Sequence, residues 1–74
     1  MNILYEFNFK NGTTGFIRFT DELSHTRLVE IEGTIISGLR SKDFITLTNG
    51  TDDLSFDCAE VVSYTKSRWV SNET

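Results

Sequence analysis

The stretch Ile3 to Lys10 alternates without a break. Ile3, Tyr5, Phe7 and Phe9 fall on one side, and Leu4, Glu6, Asn8 and Lys10 on the other. A period of two in aromatic and β-branched residues marks a half-buried strand. Asn11-Gly12 follows at once, a strong hairpin signal because both residues tolerate positive φ. Thr14 to Thr20 is then the return strand, with Phe16 and Arg18 on one face and Ile17 and Phe19 on the other. The chain must contain antiparallel sheet, and the open question is what covers its apolar face.

The answer lies in residues 20–40, which support two readings. Thr20-Asp21-Glu22 has the form of a helix start, a hydroxyl cap followed by acids facing the positive end of the dipole. On a helical wheel Leu28, Val29, Ile31, Ile35, Ile36 and Leu39 fall within roughly 160° of arc, and only His25 and Glu32 intrude. Gly38 would then sit near the C-terminal cap, with Arg40 and Lys42 at the negative end. Against this, Gly33 and the β-branched residues weaken a helix, and Val29, Ile31 and Ile35 alternate with Glu30, Glu32 and Thr34 as in a strand. Capping and wheel geometry favour the helix over residues 21–39. The strand remains the alternative.

Beyond it, Asp43 to Thr48 is a strand closed by Asn49-Gly50, Asp52 to Phe56 its partner, Asp57 to Glu60 a kink, and Val61 to Lys66 a last strand. Residues 71–74 are expected to fray. The two Asn-Gly turns are too common a feature to argue an internal duplication. The expected fold is α+β, a small antiparallel sheet with one covering helix (ββαββ). The alternative is an all-β SH3-like or Sm-like barrel.

Seventy-four residues make one domain, 1–74, and rule out a multidomain enzyme. A domain of this size buries only about 60% of its unfolded surface, so self-association is one way for it to gain support. The single cysteine, Cys58, excludes a disulfide scaffold and points to a reduced, cytoplasmic location. No apolar run approaches the ~18 residues of a membrane span, and Met1-Asn2-Ile3-Leu4-Tyr5 lacks the build of a secretory signal. The sequons at Asn11, Asn49 and Asn72 reflect only the abundance of threonine.

Catalytic and metal-binding constellations are nearly absent. His25 is the only histidine, and no spacing joins it to Cys58 and carboxylates as metal ligands. Cys58, beside Phe56 and Ala59, is read as a buried structural thiol. Asp52, Asp53 and Asp57 provide too few oxygens at fixed spacing for calcium. Gly12-Thr13-Thr14-Gly15 lacks the lysine and following helix of a phosphate-binding loop. No cofactor is implied, and an enzyme is the least expected class.

Charge position says more. Residues 1–42 balance five acids against five bases, whereas residues 43–63 carry Asp43, Asp52, Asp53, Asp57 and Glu60 with no base. The net charge of −4 is therefore the charge of the second hairpin, offset only by the C-terminal end. Such a patch repels phosphate backbones and attracts basic surfaces. Bases and aromatics interleave once, at Tyr64-Thr65-Lys66-Ser67-Arg68-Trp69, and Trp, Tyr and Arg are the residue types enriched at interface anchors. The candidate contact residues are Asp52, Asp53, Asp57, Glu60, Tyr64, Arg68 and Trp69.

Three resemblances accompany these readings. Gly15-Phe16-Ile17-Arg18-Phe19, with Phe7-Asn8 and Asp21 to His25, resembles the aromatic strand motif of RNA-recognition and cold-shock domains, although Thr14 stands where an upstream stacking aromatic belongs. It implies an alternative function, nucleic-acid binding through Phe16, Arg18, Lys66, Arg68 and Trp69. Val29 to Ile35 followed by Phe44 to Gly50 is similar to small Sm-like or SH3-like barrels, in which residues 57–60 would be the short turn before the last strand. The order of hairpin, helix, Phe-Ile-x-Leu strand, acidic turn and Val-Val-x-Tyr strand resembles small proteins carried by phages and mobile elements of Gram-positive bacteria, some of them inhibitors. The expectation is a non-enzymatic protein-binding module that occupies a basic partner surface through the acidic hairpin. A small-ligand-sequestering oligomer is the third class.

Overall fold

In a computed structural model, which describes residues 2–20 and 24–68, five strands and one helix follow in the order expected of a ββαββ chain with a closing strand. They are β1 (Ile3–Phe9), β2 (Thr14–Phe19), α1 (His25–Ser41), β3 (Phe44–Thr48), β4 (Asp53–Asp57) and β5 (Val61–Arg68), with a 3₁₀ turn at Cys58–Glu60. The protein is α+β. Because residues 25–41 are helical, the strand alternative for Leu28 to Ile36 and the barrel built on it do not hold. The kink before the last strand is nevertheless a 3₁₀ turn.

The strands form two antiparallel sheets. One runs β2-β1-β5 and the other is the β3–β4 hairpin alone. β1 is central because its alternation makes it apolar on one face: Ile3, Tyr5 and Phe7 are buried, as are Ile17 and Phe19 of β2. Rings interlock across the core. Tyr5 meets Phe19 edge to face at 5.9 Å, and Phe7 lies 4.5 Å from Phe56, which joins the two sheets. β5 does not continue beside β4. The 3₁₀ turn carries the chain over to β1, where Tyr64 faces Phe7 and Lys66 faces Tyr5.

The helix begins later than Thr20. Ser24 is the N-cap, its hydroxyl accepting the Arg27 N–H at 3.1 Å, while Asp21 and Glu22 lie outside the described residues. It also ends later than Gly38. Lys42 closes it in the left-handed region, φ 57°, and the Gly38 carbonyl accepts the N–H groups of both Lys42 and Asp43. Gly38 serves instead for close approach. A Cβ there would stand 2.7 Å from Ile45 Cγ2 and 3.0 Å from Cys58 Sγ, so the glycine lets the helix backbone rest on β3 and the 3₁₀ turn.

Leu28, Ile31, Ile35 and Gly38 form the buried stripe. Val29 and Ile36, which the wheel grouped with them, are 55% and 51% exposed. The apolar arc is wider than the surface beneath it, so its margin is left outside. That margin faces β5, because Glu32 beside it accepts the Tyr5 hydroxyl at 3.1 Å and the Lys66 ammonium. The opposite flank, carrying Glu30, Thr34 and Ser37, borders β3.

Candidate functional site

The β3–β4 hairpin is built by parity. Register pairs Phe44 with Asp57, Thr46 with Ser55 and Thr48 with Asp53. These six residues are exposed, whereas Ile45, Leu47, Leu54 and Phe56 point inward. The outer face is therefore a short ladder with hydroxyls at its centre, where Thr46 Oγ1 and Ser55 Oγ meet at 2.8 Å, and one aspartate near each end. The two aspartates stand about 13 Å apart along the strand, at ~3.3 Å per residue.

The turn is set by Asn49, whose Oδ1 accepts the N–H groups of Thr51 and Asp52 at 2.8 and 2.7 Å. Its Nδ2 donates to the Arg18 carbonyl at 2.7 Å and moors the turn to β2. Asp52 consequently shares a groove with Phe16 and Arg18 and stands apart from the ladder. At the other end Asp57 caps the 3₁₀ turn, its Oδ1 accepting the Ala59 N–H at 2.9 Å. The Asp43 carbonyl accepts the Cys58 N–H at 2.8 Å, and the Glu60 carbonyl accepts the Lys10 N–H at 2.8 Å. Cys58 is buried; burial foremost, then the charges of Asp57 and Asp43, pushes its thiol pKa up. A raised pKa disfavours the thiolate and suits the structural role expected of it.

Phe44 is the residue the sequence reading missed. It is 68% exposed, lies opposite Asp57, and forms one wall of a groove with Glu30, Ser37 and Asp43 on the helix side. A signal was available in the strand's parity: Phe44 shares its side with Thr46 and Thr48, not with Ile45 and Leu47.

The seven candidate contact residues do not form one site. Asp53 and Asp57 lie on the outer ladder, Asp52 at the mooring groove and Glu60 in the 3₁₀ turn. Tyr64 belongs to the core-side face of the other sheet, its ring stacked on Phe7 at 5.6 Å. Arg68 is at the far end of β5, opposite Ile3. Trp69 lies outside the described residues. The separation has a simple cause: β5 pairs with β1 and not with β4. The nucleic-acid set divides likewise, since Phe16 and Arg18 point away from the core, whereas Lys66 lies on its side and holds Glu32.

Among the described residues no group of three or more His, Cys, Asp or Glu side chains is placed to hold a metal ion. None of the described helices is long and apolar enough to cross a membrane. No protein-family model, curated protein or solved structure matches the chain.

Proposed function

We propose that the protein is a non-enzymatic binding module of the cytoplasm whose outer β3–β4 face engages a basic surface on a protein partner. The observation that carries this reading is Phe44, a large ring 68% exposed within a strand pair edged by Asp57 and Asp53. An exposed aromatic ringed by charge of one sign suits an interface whose apolar anchor is surrounded by electrostatic steering. The resemblance to small phage and mobile-element proteins extends the reading to an accessory factor or inhibitor, acting by occupying a surface.

A photo-crosslinking side chain at Thr46, the centre of the ladder, tests it in lysate of the cell that makes the protein. Expected are crosslinks to basic proteins whose yield falls with added salt and collapses in both F44A and D53K. Crosslinks that persist unchanged in both variants would end this reading.

A further inference from the structure

Among the described residues, β5 is an edge with little of the usual protection. Natural edges are short, bulged, interrupted by proline or covered. β5 runs eight residues, has no proline, and carries its one register shift at the end near Phe9. Its lysine, the common guard of an edge, is turned inward onto Glu32.

The direction of its free backbone groups follows from β1. The Phe9 N–H donates to Thr13 and its carbonyl accepts from Gly12, so both point to β2, whereas the Lys10 N–H donates to Glu60 on the β5 side. Backbone groups alternate sides along a strand. Leu4, Glu6 and Asn8 therefore serve β5, and their opposites Ser67, Thr65 and Ser63 point back to β1. The N–H and C=O groups of Tyr64, Lys66 and Arg68 are left at the outer edge. Above it stand the uncovered margin of the helix, with Ile36 and Val29 about 40° and 60° round from Glu32, and the Tyr64 ring, 38% exposed.

We propose that this edge joins a second copy of the chain, β5 against β5, antiparallel about a two-fold axis at Thr65. Charge bears on the register. With the axis at Thr65, Tyr64 stands opposite the partner's Lys66 on the helix side, and Ser63 opposite the partner's Ser67 on the other. Shifting the axis to Lys66 would set two ammonium groups face to face, and like charges directly opposite are destabilising. In the Thr65 register the strand meets its copy with no like charges directly opposite. Asp53 and Asp57 lie on the other sheet, and Glu6, opposite Thr65 on β1, is one strand removed from the seam.

The two-fold keeps both helices on the same face of a six-stranded sheet, β2-β1-β5-β5-β1-β2. The two β1 strands would lie roughly 14 Å apart, three strand spacings. The cleft between the helices is floored by both Tyr64 rings and bordered by Ile36 and Val29 from each copy. The exposed margin of the helix thereby acquires a neighbour.

Sedimentation of the full chain between about 1 µM and about 1 mM, a range that covers weak to moderate association, tests the proposal together with two variants. The wild type is expected to dimerise, undiminished by added salt. T65K, on the solvent side of the sheet, is expected to be monomeric with an unchanged helical circular-dichroism signal. T65C is expected to form a disulfide-linked dimer on mild oxidation, because opposed residues at the axis lie within bridging distance. S67C, which faces the partner's Ser63, is expected not to crosslink to itself. A wild type that stays monomeric throughout overturns the proposal, as does a dimer that T65K leaves intact. Should T65K fail to fold, the T65C and S67C crosslinks decide alone, and failure of T65C to link overturns the register.

Discussion

The two hairpins share a turn and little else. In each, an Asn-Gly pair closes the loop and the asparagine side chain accepts backbone N–H groups two or three residues ahead. The first hairpin supplies five core residues, Ile3, Tyr5, Phe7, Ile17 and Phe19, and its β1 is paired on both sides. The second supplies Leu47 and Phe56, pairs only with itself, and is attached from outside by Asn49, Gly38 and the Phe7–Phe56 contact. Local turn grammar thus makes a hairpin but does not assign its role. Apolar parity made one the centre of the fold, and the charge on the other left it a surface.

The comparison breaks most readily at Phe7. F7A removes a fully buried ring that touches both sheets, and a loss of about 3–5 kcal/mol rivals the whole stability of so small a core. Most of the chain should then be unfolded at 25 °C by circular dichroism. F44A, the exposed ring of the second hairpin, should shift the urea midpoint by no more than about 0.5 kcal/mol equivalent.

The helix's seat on the second hairpin gives the next largest effect. G38A should destabilise by about 1–3 kcal/mol, because the new methyl must displace Ile45 and Cys58. G33A, where a Cβ meets nothing, should stabilise by about 0.4–1 kcal/mol. Thermal melts of the pair separate close approach from helix propensity.

The turns come third. N49A loses the acceptor of the Thr51 and Asp52 N–H groups and the mooring to the Arg18 carbonyl, at a cost of about 1–2 kcal/mol, and N11A about half that. Equal costs would show that the mooring bond contributes nothing.

The smallest effect belongs to the contact between the helix and β5. Hydrogen bonding from the Lys66 ammonium holds the Glu32 carboxyl below its ordinary pKa. A carboxyl depressed in the folded state stabilises above its unfolded pKa, near 4.5, and loses that contribution as pH falls through the folded value. Stability should therefore decline on acidification below about pH 4.5, less steeply in E32Q. Both side chains are about one-third exposed, so screening keeps the effect small.

Hairpins and helix were legible because their signals are local: alternation, Asn-Gly, and an apolar stripe of period 3.6. The helix won over the strand because Leu28, Ile31 and Ile35 had a sheet face to cover. The partner of β5 was not legible, since nothing in Val61 to Arg68 names β1. That one missing fact explains why the acids and the Tyr64–Arg68 end were read as one site. Gly38 looked like a cap because its close approach depends on Ile45 and Cys58, which are distant in sequence. The acidic face was visible in the charge count, but its aromatic member emerged only when the strand's inner side was known.

The pairing of β1 with β5 also sets a timetable. Asn8 and Ser63 are hydrogen-bonded across 55 residues, so during synthesis the central strand waits about 3–11 s for its second neighbour at ~5–20 residues per second. Through that interval Ile3, Tyr5 and Phe7 belong to a half-built sheet, and the nascent hairpin must be sheltered or kept apart from others like it. Ribosome-bound chains with β5 still inside the exit tunnel should accordingly be far more protease-sensitive over β1 than chains in which β5 has emerged.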